Sequence, residues 1–97
     1  MTSNIPTAVI GNGIIGHGVA QVLATAGHPV VMIGRNAASL DKAQQNIRES
    51  LGEFVCHGLV QAAEVPNILV RITNSTILDD AKSAGFVVEA VTENLEL

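Results

Sequence analysis

The sequence predicts an α/β fold, a doubly wound parallel sheet, and three observations carry that expectation. Apolar runs of strand length stand at residues 6–10, 30–33 and 86–91, and they are continuous rather than alternating, as strands buried on both faces require. The stretches between them return apolar residues at helical spacing. A cluster of three glycines, Gly11, Gly13 and Gly16, stands where the first apolar run gives way to the first helical pattern. Strand, helix and strand in alternation are the signature of parallel strands joined by helical crossovers.

Taken in order, residues 1–4 read as a polar leader, and Pro6 is tolerated at the start of a first strand that ends at Ile10. From Ile14 to Ala26 the apolar positions Ile15, Val19, Val22, Leu23 and Ala26 fall on one helical face, and Gly27 is placed to end that helix. Val30-Val31-Met32-Ile33 is a second strand, and strand, turn, helix and strand together have the length of one βαβ unit. Asn36 is the expected N-cap of a long helix carrying Leu40, Ala43, Ile47, Leu51, Phe54 and Val55 on one side. Gly52 lies inside that helix and Gly58 is expected to end it. Over residues 59–70 the pattern is helical but interrupted by Pro66, which predicts two short pieces. Residues 71–75 are expected to form a brief strand, residues 78–84 a short helix and residues 86–91 a third strong apolar strand. Residues 92–97 read as a turn into a further crossover helix, so the expected sheet is incomplete, with about four strands and an uncovered last edge.

The glycine cluster carries the chemistry. Its spacing, Gly11-Asn12-Gly13-Ile14-Ile15-Gly16, is G-x-G-x-x-G between a strand and a helix, the fingerprint of a Rossmann-like dinucleotide-binding turn. Gly11 allows a tight turn out of the strand. Gly13 lets backbone N–H groups approach a pyrophosphate, and Gly16 lets the helix pack close to the strand. The anion is then held at a helix N-terminus, where unpaired N–H groups and the helix dipole favour negative charge. Gly11, Asn12, Gly13, Ile14, Ile15 and Gly16 are therefore candidate cofactor-binding residues, together with Gly34, Arg35 and Asn36 beyond the second strand.

Composition narrows the classes. The 97 residues allow one small domain, and 47% hydrophobic residues, almost all aliphatic, exclude a disordered tail. A formal net charge of −4 offers no electrostatic footprint for nucleic acid or an anionic membrane, and no apolar run approaches membrane-spanning length. The lone Cys56 fits a reducing, cytoplasmic setting. His17, His28, His57 and Cys56 show no metal-ligand spacing, and no metal site or catalytic triad is expected.

The run Ala8-Val9-Ile10-Gly11-Asn12-Gly13-Ile14-Ile15-Gly16, with Gly18-Val19-Ala20-Gln21 and Ala26-Gly27-His28 after it, resembles the N-terminus of 3-hydroxyacyl-CoA dehydrogenases. The segment Val87-Val88-Glu89-Ala90-Val91-Thr92-Glu93-Asn94-Leu95 is similar to that family's E-A-V-x-E-N-L stretch and is the more particular of the two matches. The resemblance covers nearly the whole chain. It implies a nicotinamide dinucleotide domain of an enzyme of fatty acid metabolism, which oxidises the 3-hydroxyl of an acyl-CoA to a ketone and passes hydride to the cofactor. It implies cofactor contacts at Ala90, Val91 and Glu93, and a contact to CoA at Ser50, although His57 stands at the following basic position. The family's catalytic His–Glu pair and its second, helical domain, which completes the substrate site and mediates dimerisation, come after this segment. On that reading these 97 residues bind a dinucleotide, meet acyl-CoA only within a full-length enzyme, and are inactive alone.

One departure concerns the cofactor. A site that prefers NAD places a carboxylate at the end of the second strand to accept from the ribose hydroxyls; here Gly34 stands there, followed by Arg35, which can accommodate the 2′-phosphate of NADP. NADP is therefore slightly favoured over NAD. Alternative readings are another dehydrogenase with the same front end, of the 6-phosphogluconate or nucleotide-sugar type, or a non-enzymatic nucleotide-binding or assembly module. The bare edge of the last strand is expected to promote self-association.

Overall fold

The computed structural model describes residues 5–11 and 13–90. Four parallel strands, β1 (Thr7–Ile10), β2 (Val30–Ile33), β3 (Ile72–Ser75) and β4 (Phe86–Glu89), form one sheet in the order β3-β2-β1-β4. The strand order reverses beside β1, where the chain has built outward to β3 and then returns to place β4 on the other side. An open parallel sheet binds ligands at such a switch point, outside the carboxyl ends of its strands.

Helices α1 (Ile14–Thr25), α2 (Ala37–Cys56) and α3 (Val65–Val70) join the strands. A three-residue 3-10 turn at Ala62–Glu64 leads directly into α3, and Pro66 lies in its first turn, where its missing N–H has no partner to lose. The expected pair of short helical pieces is thus one 3-10 turn and one α-helix. The expected short helix before β4 is a 3-10 helix, Leu78–Ser83, packed against β1 and β2.

The core lies between the helices and one face of the sheet. Val9, Val30, Met32 and Ile72 face Ala20 and Ala24 of α1, Leu40, Ala43, Ile47 and Leu51 of α2, and Ile68 of α3. The register Val9↔Met32 and Val30↔Ile72 brings these side chains onto one face, as the two-residue period of a strand demands. Asn36 caps α2 from an extended conformation, its side-chain oxygen accepting from the Ser39 N–H at 2.8 Å. The other end of α2 closes in a Schellman turn: the Gly58 N–H donates to the Val55 carbonyl (3.0 Å) and the Leu59 N–H to the Phe54 carbonyl (2.8 Å). Gly58 has φ +74°, the left-handed region that glycine enters without a steric penalty. Helix α1 ends with the same pair of bonds, from Gly27 to Ala24 and from His28 to Leu23. Its last turn is also held by Arg71, whose Nη1 donates to the Ala24 carbonyl at 2.8 Å.

The face that α1 buries differs from the one expected. Ile15 is 72% exposed and Val22 67%, and Ala26 is exposed as well, whereas Gly16, Ala20, Gln21 and Ala24 are buried. Val19 and Leu23 are half-buried at the margin of the core. A stripe of small residues at i, i+4 and i+8 lets the helix axis lie close to the sheet, and that close approach turns the larger side chains outward.

Candidate functional site

The turn that follows β1 is shaped by two glycines. Gly11 has φ +108°, a conformation closed to residues with a Cβ, and its N–H donates to the Ile33 carbonyl at 2.8 Å, so the turn leaves the sheet already tied to β2. A Cβ added to Gly16 would overlap the Gly11 carbonyl oxygen. The first turn of α1 therefore rests against the strand end, with Gly13 as its N-cap and Ile14 as its first residue. Gly13 is exposed and makes no side-chain cap hydrogen bond at the N-terminus of this twelve-residue helix. A pyrophosphate fits this cradle: it needs close backbone approach, N–H donors and a favourable dipole, and no side chain in the way.

A cavity of about 550 Å³ opens beside the turn at the carboxyl edge of the sheet. Its walls are Ile10, Gly11 and Gly13 from β1 and its turn, Ile33, Gly34, Arg35, Asn36 and Ser39 from β2 and the start of α2, and Thr76 and Leu78 beyond β3. The volume is that of a small-molecule site, with an apolar floor and few polar groups. The described lining contains one cation, Arg35, and no carboxylate, although the chain carries nine Asp and Glu.

Five of the residues singled out from the sequence thus share one cavity: Gly11, Gly13, Gly34, Arg35 and Asn36. Gly16 acts one layer behind, as the contact that sets the turn. Ala90 lies on the other side of β1, its N–H donating to the Ile10 carbonyl at 2.8 Å, beside the phosphate turn rather than in the cavity. Ile15 projects into solvent from α1, away from the lining. Ser50 is half-buried more than three turns along α2 from the cavity and takes no part in it. Asn12, Val91 and Glu93 lie outside the described residues. Three lining residues carried no signal in the turn motif: Ser39, Thr76 and Leu78. Thr76 follows β3 directly, a position from which parallel sheets build their sites, but it joins this cavity through the pairing of β3 with β2.

Comparison with known proteins gives this geometry a family. Residues 6–97 match the family described as 3-hydroxyacyl-CoA dehydrogenase, NAD binding domain. The chain is 38% identical over 95 residues to a Caenorhabditis elegans protein named "Probable 3-hydroxyacyl-CoA dehydrogenase", covering 92% of this chain and 31% of that one. It is 35% identical over 95 residues to the human mitochondrial hydroxyacyl-coenzyme A dehydrogenase, covering 92% of this chain and 30% of that enzyme. The crystal structure of (S)-3-hydroxybutyryl-CoA dehydrogenase from Ralstonia eutropha superposes with a TM-score of 0.88 at 33% identity, over 97% of this chain and 33% of that one. The chain spans about a third of the length of each of these relatives. A parallel sheet with its phosphate turn at the switch point, matched along almost all its length by one family, leads to a single assignment: the chain belongs to the 3-hydroxyacyl-CoA dehydrogenase family and corresponds to its NAD-binding domain.

Proposed function

We propose that this chain is the cofactor-holding portion of an enzyme that moves hydride between C3 of a 3-hydroxyacyl-CoA and a nicotinamide dinucleotide, a reaction of fatty acid metabolism. The observation that carries the reading is the glycine turn opening into the cavity at the switch point. Gly11, Gly13 and the first turn of α1 hold the pyrophosphate; Ile10, Ile33 and Leu78 offer apolar surface to the adenine, with Gly34, Arg35 and Asn36 at its ribose. The other half of the dinucleotide then extends across β1 towards Ala90, with Asn12, Val91 and Glu93 as further contacts. Hydride acceptance is the chemistry the nicotinamide supplies when bound. The hydroxyl proton needs an acceptor, which the family resemblance places in a region that follows these residues. The 97 residues position and shield; they do not carry the acid–base step.

The finer reading of the cofactor is NADP in preference to NAD. The end of β2 offers Gly34 in place of a ribose-binding carboxylate, and Arg35 beside it is charged at every physiological pH. Acyl-CoA is a partner of a longer enzyme only. The outer edge of β4 favours self-association: Phe86 and Val87 are exposed there, and no strand pairs with that edge among the described residues. No helix among the described residues is long and apolar enough to cross a membrane. A free, exposed Cys56 fits a reducing compartment such as the cytoplasm.

Titration calorimetry with NADPH and NADH tests the reading directly. Binding is expected for the natural chain. Gly13→Val fills the approach of the phosphate and abolishes binding, with the far-UV circular dichroism kept. Unchanged affinity in Gly13→Val would overturn the reading of the turn.

A further inference from the structure

Helix α1 has no acidic or basic side chain other than His17, whereas the exposed face of α2 carries Asp41, Lys42, Arg48, Glu49 and Glu53. A helix with one face in water carries its charge on that face, and a helix apolar all round is one covered on both sides. Only one side of α1 is covered. Gly16, Ala20 and Ala24 rest on the sheet, while Ile15 and Val22 stand exposed on the opposite face, with Gly18 between them. A Cβ at Gly18 would meet nothing within 4 Å, so this outward face is a shallow saddle between two aliphatic knobs. The strand beside α1 has the converse lack. The register Thr7↔Phe86 and Val9↔Val88 puts Phe86 and Val88 on the helix side of β4, since Val9 belongs to the core under the helices. Helices α1, α2 and α3 pack chiefly on β1, β2 and β3, and Phe86 is left exposed.

We propose that the outward face of α1 and the helix side of β4 form one docking surface, and that its partner is a second copy of this chain. The two parts lack opposite things: the helix has no apolar surface outside it, and the strand has no helix over it. A two-fold axis supplies both at once by laying α1 of each copy over β4 of the other. The patch then meets itself, as an isologous interface requires. Gly18 keeps α1 thin towards the partner's sheet, as Gly16 does towards its own. None of Ile15, Gly18, Val22, Phe86 and Val88 is charged, so two identical patches set no like charges against each other, although each chain carries a formal net charge of −4. Like net charge around an uncharged contact makes association stronger as salt rises, the reverse of an interface held by ion pairs. The twelve residues of α1 are about 18 Å long, and a strip one helix wide falls short of the roughly 800 Å² per partner of a standard stable complex. The dimer is therefore weak and concentration-dependent. It does not rest on the dinucleotide reading, and it differs from pairing along the outer edge of β4, which uses backbone groups and neither of these faces.

Sedimentation velocity over a concentration series tests this on the natural 97-residue chain, Val22→Lys, Gly18→Leu and Val87→Lys. The natural chain is expected to shift from monomer to dimer as concentration rises, and to shift further when salt is raised from about 0.05 to 0.5 M. Val22→Lys places a charge in the contact and Gly18→Leu fills the saddle, and each is expected to weaken dimerisation by about 10-fold or more. Both positions have room around them in the monomer, so an unchanged far-UV circular dichroism and a urea midpoint no lower than natural show that the fold is kept. Val87 lies on the other face of β4, so Val87→Lys leaves this dimer in place while putting a charge on the strand edge that edge pairing would not tolerate. A natural chain that stays monomeric at the highest concentration overturns the proposal. So does association that Val22→Lys and Gly18→Leu leave undiminished, or association that Val87→Lys alone abolishes.

Discussion

At Gly16 a single methyl group decides how the phosphate turn sits. A Cβ there would collide with the Gly11 carbonyl, backbone that cannot swing aside, whereas a Cβ at Gly18, two residues on, meets nothing within 4 Å. The pair separates the two roles of glycine in α1. Gly16→Ala is expected to push the helix off the strand end, destabilising the chain by about 1–3 kcal/mol and abolishing dinucleotide binding. Gly18→Ala gains about 1 kcal/mol from helix propensity alone and leaves binding as it was. Urea denaturation and NADPH titration on both variants check this; a Gly16→Ala protein of natural affinity would contradict the role given to that contact. The residue proposed to set cofactor choice is Arg35. Arg35→Ala should weaken NADPH by about 10-fold, the scale of one charged hydrogen bond, and leave NADH unaffected. The same preference should shrink as salt is raised, because the guanidinium is exposed to solvent.

Helix α2 is the element that couples the core to the site. Its N-cap, Asn36, lines the cavity, while Leu40, Ala43, Ile47 and Leu51 bury its inner face. Its outer face carries Gly52, exposed and with open space where a Cβ would stand. Three substitutions along this one helix therefore have three expected signs. Asn36→Ala removes the bond to the Ser39 N–H and costs about 1 kcal/mol. Ile47→Ala opens a void at a fully buried position and costs about 2–5 kcal/mol. Gly52→Ala contributes about 1 kcal/mol of added stability. Midpoints of urea unfolding at a common slope give the order directly, and a stabilising Ile47→Ala would mean that α2 does not seat on the sheet as described. The cap also holds Ser39 and Asn36 in the cavity wall, so Asn36→Ala should weaken the dinucleotide beyond its effect on folding.

Across the whole molecule the sheet is asymmetric. One face is covered by three helices and the other by the 3-10 helix of residues 78–83, and β4 presents an edge with Phe86 55% and Val87 45% exposed. An apolar strand with unpaired N–H and C=O groups templates pairing with another chain. Concentration-dependent association is expected in sedimentation velocity, and Phe86→Lys, which places a charge on that edge, should reduce it without loss of NADPH binding. A natural chain that remains monomeric at high concentration would contradict this. The same 97 residues should bind NADPH and yield no steady oxidation of a 3-hydroxyacyl-CoA, since among the described residues no histidine or carboxylate lines the cavity to accept the hydroxyl proton. Turnover by protein of that confirmed mass would overturn the division of labour proposed for the family's two parts.

What the sequence determined by itself is what short-range physics controls. The four strands, the caps at Asn36 and Gly58, the break at Pro66 and the glycine turn all follow from residues a few positions apart, through dihedral preference and local hydrogen bonding. Family membership was legible for the same reason, from two runs at opposite ends of the chain. The buried face of α1 was not. Its apolar residues populate both sides of the helix, and periodicity cannot choose between them. The choice belongs to the small stripe Gly16, Ala20 and Ala24, which only matters once a sheet is present for the helix to approach. Thr76 is the second case. Only its place just past a strand marks it, and it reaches this cavity because β2 pairs with β3 in the register that sets Ile33 against Ser75. Contacts between residues some forty positions apart are made by tertiary pairing, so the far wall of the site was decided by the structure alone.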